Sequence, residues 1–111
     1  MATVMVEIFF EHEDGSSGGW IRKIFPSPTH LPCVGEMVWL SNDTDEFTVA
    51  KILHHFDRDM VEIESEEVGF RGVVGLLPNL SLEGWEFMES DDEEIESMKT
   101  LAAEAQSRHI S

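Results

Sequence analysis

Residues 51–64, KILHHFDRDMVEIE, place two adjacent histidines beside two aspartates. Imidazole and carboxylate are the ligands of zinc and the acids and bases of hydrolytic enzymes, so His54, His55 and Asp57 form a candidate metal-dependent site. The residues around them argue for something else. Residues 47–56 and 60–66 read as two strands joined by an Asp57-Arg58 turn. Paired antiparallel, they set His55 opposite Met60, His54 opposite Val61, Leu53 opposite Glu62, Ile52 opposite Ile63, Lys51 opposite Glu64 and Ala50 opposite Ser65. This register collects Ala50, Ile52, Val61 and Ile63 on one apolar face and forms a Lys51–Glu64 cross-strand ion pair. Strand side chains alternate between faces, so His54 and Phe56 fall on the core face and His55 on the outer one. Two histidines on opposite faces do not chelate one ion. The stretch therefore predicts a hairpin tip, with no metal and no cofactor; a metal-dependent enzyme using His54, His55 and Asp57 is the competing reading.

Other reactive residues carry weaker signals. Cys33 lies three residues after His30, but no nucleophile signature surrounds it, and a buried, inert thiol is the expectation. A single cysteine excludes an intramolecular disulfide and multi-thiolate zinc sites. His12-Glu13-Asp14 has ligand types in a loop without a second histidine. GSSGG lacks the lysine and following helix of a phosphate loop. With 23 acidic residues in 111, closeness of two carboxylates does not by itself select a catalytic pair.

The acids of the hairpin are arranged more distinctively. Glu62, Glu64 and Glu66 alternate onto one face. Asp57 and Asp59 stand at the tip, and Asp43, Asp45 and Glu46 precede the first strand. These eight residues are the predicted partner-binding surface, although a solvated outer face explains the same alternation. Val49, Leu53 and Met60 share that outer face, which calls for cover by the C-terminal helix, a partner or a second copy of the chain. The net charge is −16, and the acidity is spread: 14 acids against 5 bases in residues 1–82, and 9 against 2 in residues 83–111. Such a field repels nucleic acid and anionic lipid and attracts basic protein surfaces.

The elements that must position these residues can be read along the chain. Residues 3–10 and 20–25 read as a hairpin around the polar, glycine-rich EHEDGSSGG. Three prolines interrupt PSPTHLP. A strand is expected at 36–40, irregular packed structure over 67–84 with a short strand at 72–76, and a closing strand at 85–88. Ser90 with Glu93 matches a capping box, and Ile95, Met98, Leu101, Ala102, Ala105 and His109 recur at helical spacing, which predicts a helix over 91–108. The organisation expected is a β-rich unit over 1–90 with an amphipathic helix over 91–109 packed on it. No apolar run is long enough to span a membrane, and the N-terminus lacks a basic segment before its apolar residues, so a cytoplasmic protein is expected.

VGEMVWL, EFTVAKILHHF and MVEIE, within residues 34–66, resemble the opening strands of SH3-like or Tudor-type small barrels. That resemblance implies binding of peptides, methylated side chains or nucleic acid, but Trp39, Phe47 and Phe56 do not compose a methyl-lysine cage. The fold class expected is β-rich α+β, a small twisted antiparallel sheet or partly open barrel with one C-terminal helix. The function expected is a non-enzymatic module that engages a basic protein surface, as small acidic phage inhibitors mimic nucleic acid. A structural subunit of a larger or homo-oligomeric assembly is the third reading.

Overall fold

A computed structural model describes residues 3–26, 31–40 and 46–110, the last three for their backbone alone. Asp43, Asp45 and His30 lie outside the described residues. The strands are β1 (Thr3–Phe10), β2 (Gly19–Phe25), β3 (Met37–Trp39), β4 (Glu46–His55), β5 (Met60–Ser65) and β6 (Glu86–Phe87). They form one open sheet in the order β3-β4-β5-β1-β2-β6. The class is β-rich α+β with a mixed, unclosed sheet; residues 37–65 form a three-stranded antiparallel meander, compatible with a small β-barrel-like fold. All pairs are antiparallel except β1–β5, which is parallel, with Val4 opposite Val61 and Glu7 opposite Glu64.

The alternation of β1 produces the two faces. Val4, Val6, Ile8 and Phe10 are buried on one side with Ile21, Val61 and Ile63. A helical layer covers that side: α1 (Phe70–Val73), 3-10 turns at Val74–Leu76 and Pro78–Leu80, and α2 (Asp92–Ile110). Val73, Val74, Leu76 and Leu77 join Met98 and Ala102 of α2 in the same core. The segment expected as a strand at 72–76 is helical instead. Gly69 and Val74 bracket a single helical turn, and local bonds such as Val73 N–H to the Gly69 carbonyl and Leu77 N–H to the Val74 carbonyl satisfy the backbone while Val73, Val74, Leu76 and Leu77 are buried. The β1–β2 hairpin closes through Gly18, whose φ of +113° lies in the left-handed region. Gly19 then admits the Phe10 ring: a Cβ on Gly19 would stand 2.7 Å from it.

The register of β4 and β5 is as the sequence predicts from Lys51 to His55, with Ile52 opposite Ile63 and His54 opposite Val61. It breaks between Val49 and Lys51, where a β-bulge sets Val49, not Ala50, opposite Ser65. Val49 is therefore core, at 1% exposure, and Ala50 points to solvent. This corrects the placement of Val49 on the outer face and removes it from any oligomer contact. Phe56 is not on the core face either. It belongs to a four-residue tip, Phe56–Asp59, and is 97% exposed. Asp59 takes φ +47° there, a conformation aspartate tolerates.

Two further expectations are corrected. Cys33 is exposed, not buried; its N–H donates to Glu36 Oε1 at 2.8 Å, and the thiol's own hydrogen bond to Glu36 holds its pKa above the ordinary value, so it is a poor nucleophile. The helix cap is Asp91, whose Oδ1 accepts the Glu94 N–H at 2.8 Å, one residue later than the Ser90 box. Glu94, freed from a capping-box role, turns toward the β1–β2 loop.

Candidate functional site

The helical layer covers one face of the sheet; the outer face is where the sequence-derived residues must be sought. Register places Met37 and Trp39 of β3, Glu46 and Thr48 of β4, then Lys51, Leu53 and His55 beyond the bulge, on this side. Met60, Glu62 and Glu64 of β5 follow, then Met5, Glu7 and Phe9 of β1, and Trp20, Arg22 and Ile24 of β2. None of these apolar residues joins the core cluster. Met37, Trp39 and Ile24 are 64%, 67% and 52% exposed.

One row crosses the sheet as Lys51, Glu64, Glu7, Arg22 and Glu86, from β4 through β5, β1 and β2 to β6. Its centre is Glu7, which is only 5% exposed. Met5 and Phe9 flank it along β1, and Phe9 stacks on Trp20 with centroids 5.7 Å apart. Arg22 lies opposite Glu7 but pairs with Glu86 at 3.2 Å. Glu62, in the adjacent row, accepts a hydrogen bond from His55 Nε2 at 2.8 Å. Carboxylate oxygens of Glu7, Glu62 and Glu64 lie within 4.8 Å of one another.

Three carboxylates at that distance do not all ionise freely. Burial, followed by a hydrogen bond shared with Glu62 and the charges of Glu62 and Glu64, pushes the Glu7 pKa up to about 8. The same shared hydrogen bond holds Glu62 below its ordinary value, against burial and with help from His55. One carboxylic acid and one carboxylate thus bridge β1 and β5 at neutral pH.

The predicted partner-binding residues are dispersed along the β4–β5 hairpin. Glu62 and Glu64 are half-buried on the outer face beside Glu7. Asp57 and Asp59 are exposed at the tip; Glu46 and Glu66 are exposed at the opposite end. Asp43 and Asp45 lie outside the described residues. Among the candidate metal ligands, His55 meets Glu62, whereas His54 projects from the other side of β4 and Asp57 stays 75% exposed beside Arg58. The three are not brought together.

Sequence reasoning passed over Glu7. The signal available was a single acid inside the otherwise apolar run TVMVEIFF, but its neighbours come from a parallel pairing with a strand more than fifty residues away. A second polar cluster was also missed. His12 Nδ1 stands 2.9 Å from Glu94 Oε1, Glu13 N–H donates to Glu94 Oε2 at 3.0 Å, and Ser97 Oγ donates to Glu13 at 3.1 Å. The hydrogen bond to Glu94 raises the His12 pKa, against burial. Burial would raise Glu94, but the Glu13 N–H, Ser90 and His12 outweigh it and its pKa falls. This cluster ties the β1–β2 loop to the start of α2 and borders an open cleft of about 770 Å³.

No helix among the described residues is long and apolar enough to cross a membrane. No family model, curated protein or solved structure matches the chain.

Proposed function

We propose that this chain is a non-enzymatic protein-binding module whose outer sheet face engages a basic protein surface. The observation that carries this reading is the composition of that face. Large residues suited to anchoring an interface (Trp39, Met37, Ile24 and the half-buried Trp20) surround a carboxylate-bearing centre, and the helical layer lies wholly on the opposite side. Aromatic and methionine residues are the usual anchors of a protein interface; here they stand around the carboxylates, so apolar contact and charge share one face. The −16 charge supplies long-range attraction to a cationic partner and repels nucleic acid itself. A surface that otherwise binds DNA or RNA has the matching chemistry, so the module would act as an inhibitor or nucleic-acid mimic.

The test is capture of a partner from the native host, followed by association kinetics with that purified partner at several salt concentrations. Replacing the exposed Glu46 and Glu66 together by lysine should slow association about tenfold at low salt and flatten the salt dependence. Trp39→Ala should speed dissociation. Association that is insensitive both to salt and to the charge reversal removes the acidic-face mechanism.

A further inference from the structure

We propose that Glu7, Glu62 and Glu64 form a binding site for one hard divalent cation, Ca²⁺ foremost, at the centre of the outer sheet face. The donor set is all carboxylate, with oxygens of the three residues within 4.8 Å of one another. Hard oxygen donors without sulfur or imidazole select Ca²⁺, Mg²⁺ or Mn²⁺ over zinc or copper. Ca²⁺ accepts oxygens at about 2.3–2.6 Å in flexible geometry and keeps water at its remaining positions, whereas Mg²⁺ demands near-ideal octahedral geometry at about 2.0–2.1 Å and dehydrates reluctantly, so carboxylates held by sheet register suit Ca²⁺ first.

A cluster of acids alone would not make a site. The separate observation is Glu7 itself: it is 5% exposed, it faces Glu62, and its Oε1 is buried without a hydrogen-bond partner. A buried carboxyl oxygen that accepts nothing has given up its hydrogen bonds to water, and a bound cation would supply the missing partner. The protein's own cations do not fill the role. Arg22 is engaged by Glu86 at 3.2 Å, and Lys51, opposite Glu64, is exposed. His55 holds Glu62 at 2.8 Å, an outer contact of the kind that orients metal-binding carboxylates. All three acids project from paired strands, so the donor positions are fixed by sheet register before any ion arrives. Half-buried Glu62 and Glu64 leave the outer side open to water for the remaining coordination positions.

The experiment is calorimetric titration of chelator-treated protein with CaCl2, and in parallel MnCl2 and MgCl2, at about 0.1 M KCl to screen diffuse attraction. One equivalent of Ca²⁺ should bind with a Kd on the order of 10⁻⁴ M or tighter. Glu7→Gln and Glu64→Gln should each weaken binding about tenfold or more, and Glu104→Gln, on the exposed side of α2, should leave it unchanged. Circular dichroism confirms that each variant is folded; if Glu7→Gln is not, Glu64→Gln decides. Absence of saturable binding up to about 10 mM Ca²⁺ overturns the proposal. So does a folded Glu7→Gln or Glu64→Gln protein whose affinity stays within about twofold of the parent, since the ion would then be held by overall charge. No partner enters this titration, so its outcome is separate from that of the docking experiment.

Discussion

Glu7→Gln should make the metal-free protein's stability much less sensitive to alkaline pH. In the unfolded chain a glutamate titrates near its ordinary value of 4.5; in the folded protein Glu7 titrates at about 8, raised first by burial and then by Glu62 and Glu64. A raised folded pKa means that the native state holds the proton more tightly. The resulting stability is fully present below pH 4.5 and is lost as pH climbs through 8. Each tenfold difference in proton affinity between the folded and unfolded chain is worth about 1.36 kcal/mol. Integrating the linkage from about pH 6 to about pH 9 gives a loss on the order of 3 kcal/mol, or about 10 °C in Tm for a chain of this size. Glu62, held low, titrates below this window. His12, raised by Glu94, loses stability in the same direction, but it is present in both proteins and cancels in their difference. Glutamine supplies an N–H donor to Glu62 without needing a proton. Urea denaturation with a chelator present, run at both pH values, should show the variant gaining on the parent by roughly 3 kcal/mol at the higher pH. Parallel stability–pH curves for the two proteins would refute the assignment of a neutral, buried Glu7.

Other substitutions test the scaffold. Gly19→Ala drives a methyl into the Phe10 ring at 2.7 Å and should cost about 1–3 kcal/mol in urea denaturation, although the site lies at a hairpin end. Val49→Ala should cost about 2 kcal/mol, because the bulge buries this side chain, whereas Ala50→Val on the exposed side should be within about 0.5 kcal/mol of the parent. Glu94→Gln should cost about 1–2 kcal/mol near pH 6 by weakening the His12 pair and the Glu13 N–H bond. His12's raised pKa means that this deficit shrinks as pH rises through that value, which thermal melts at two pH values will show.

The sequence made some of this architecture readable because local rules govern it. The β4–β5 register follows from the apolar faces and the Lys51–Glu64 pairing, and it correctly separates His54 from His55. The C-terminal helix follows from its spacing, with Met98 and Ala102 buried as the period requires. The bulge was not readable. One extra residue in β4 flips Val49 relative to Ile52, and nothing in FTVAKIL marks where the flip occurs. The helical turns after Gly69 were hidden because apolar residues with interspersed glycines suit either a buried strand or short helices. The carboxylate cluster was half visible: Glu62 and Glu64 came from one hairpin, but Glu7 needed the non-local β1–β5 pairing. Cys33 was misjudged because a thiol's usual burial says nothing of a segment that ends at the sheet's edge.

The central position of β1 also bears on synthesis. Its parallel partner ends at Ser65, fifty-five residues beyond Phe10. At translation rates of about 5–20 residues per second, the strand waits roughly 3–11 s for that partner after it is made. During that interval only β2 is available to it, and a run of Val4, Val6, Ile8 and Phe9 on an open edge invites pairing with other nascent chains. Glu7 stands in the middle of this run. Unfolded, it ionises at its ordinary value and carries a full charge, which makes it a gatekeeper against edge-to-edge association. The carboxyl that strains the finished sheet therefore protects the unfinished one, and Glu7→Gln would exchange safety on the ribosome for stability afterwards.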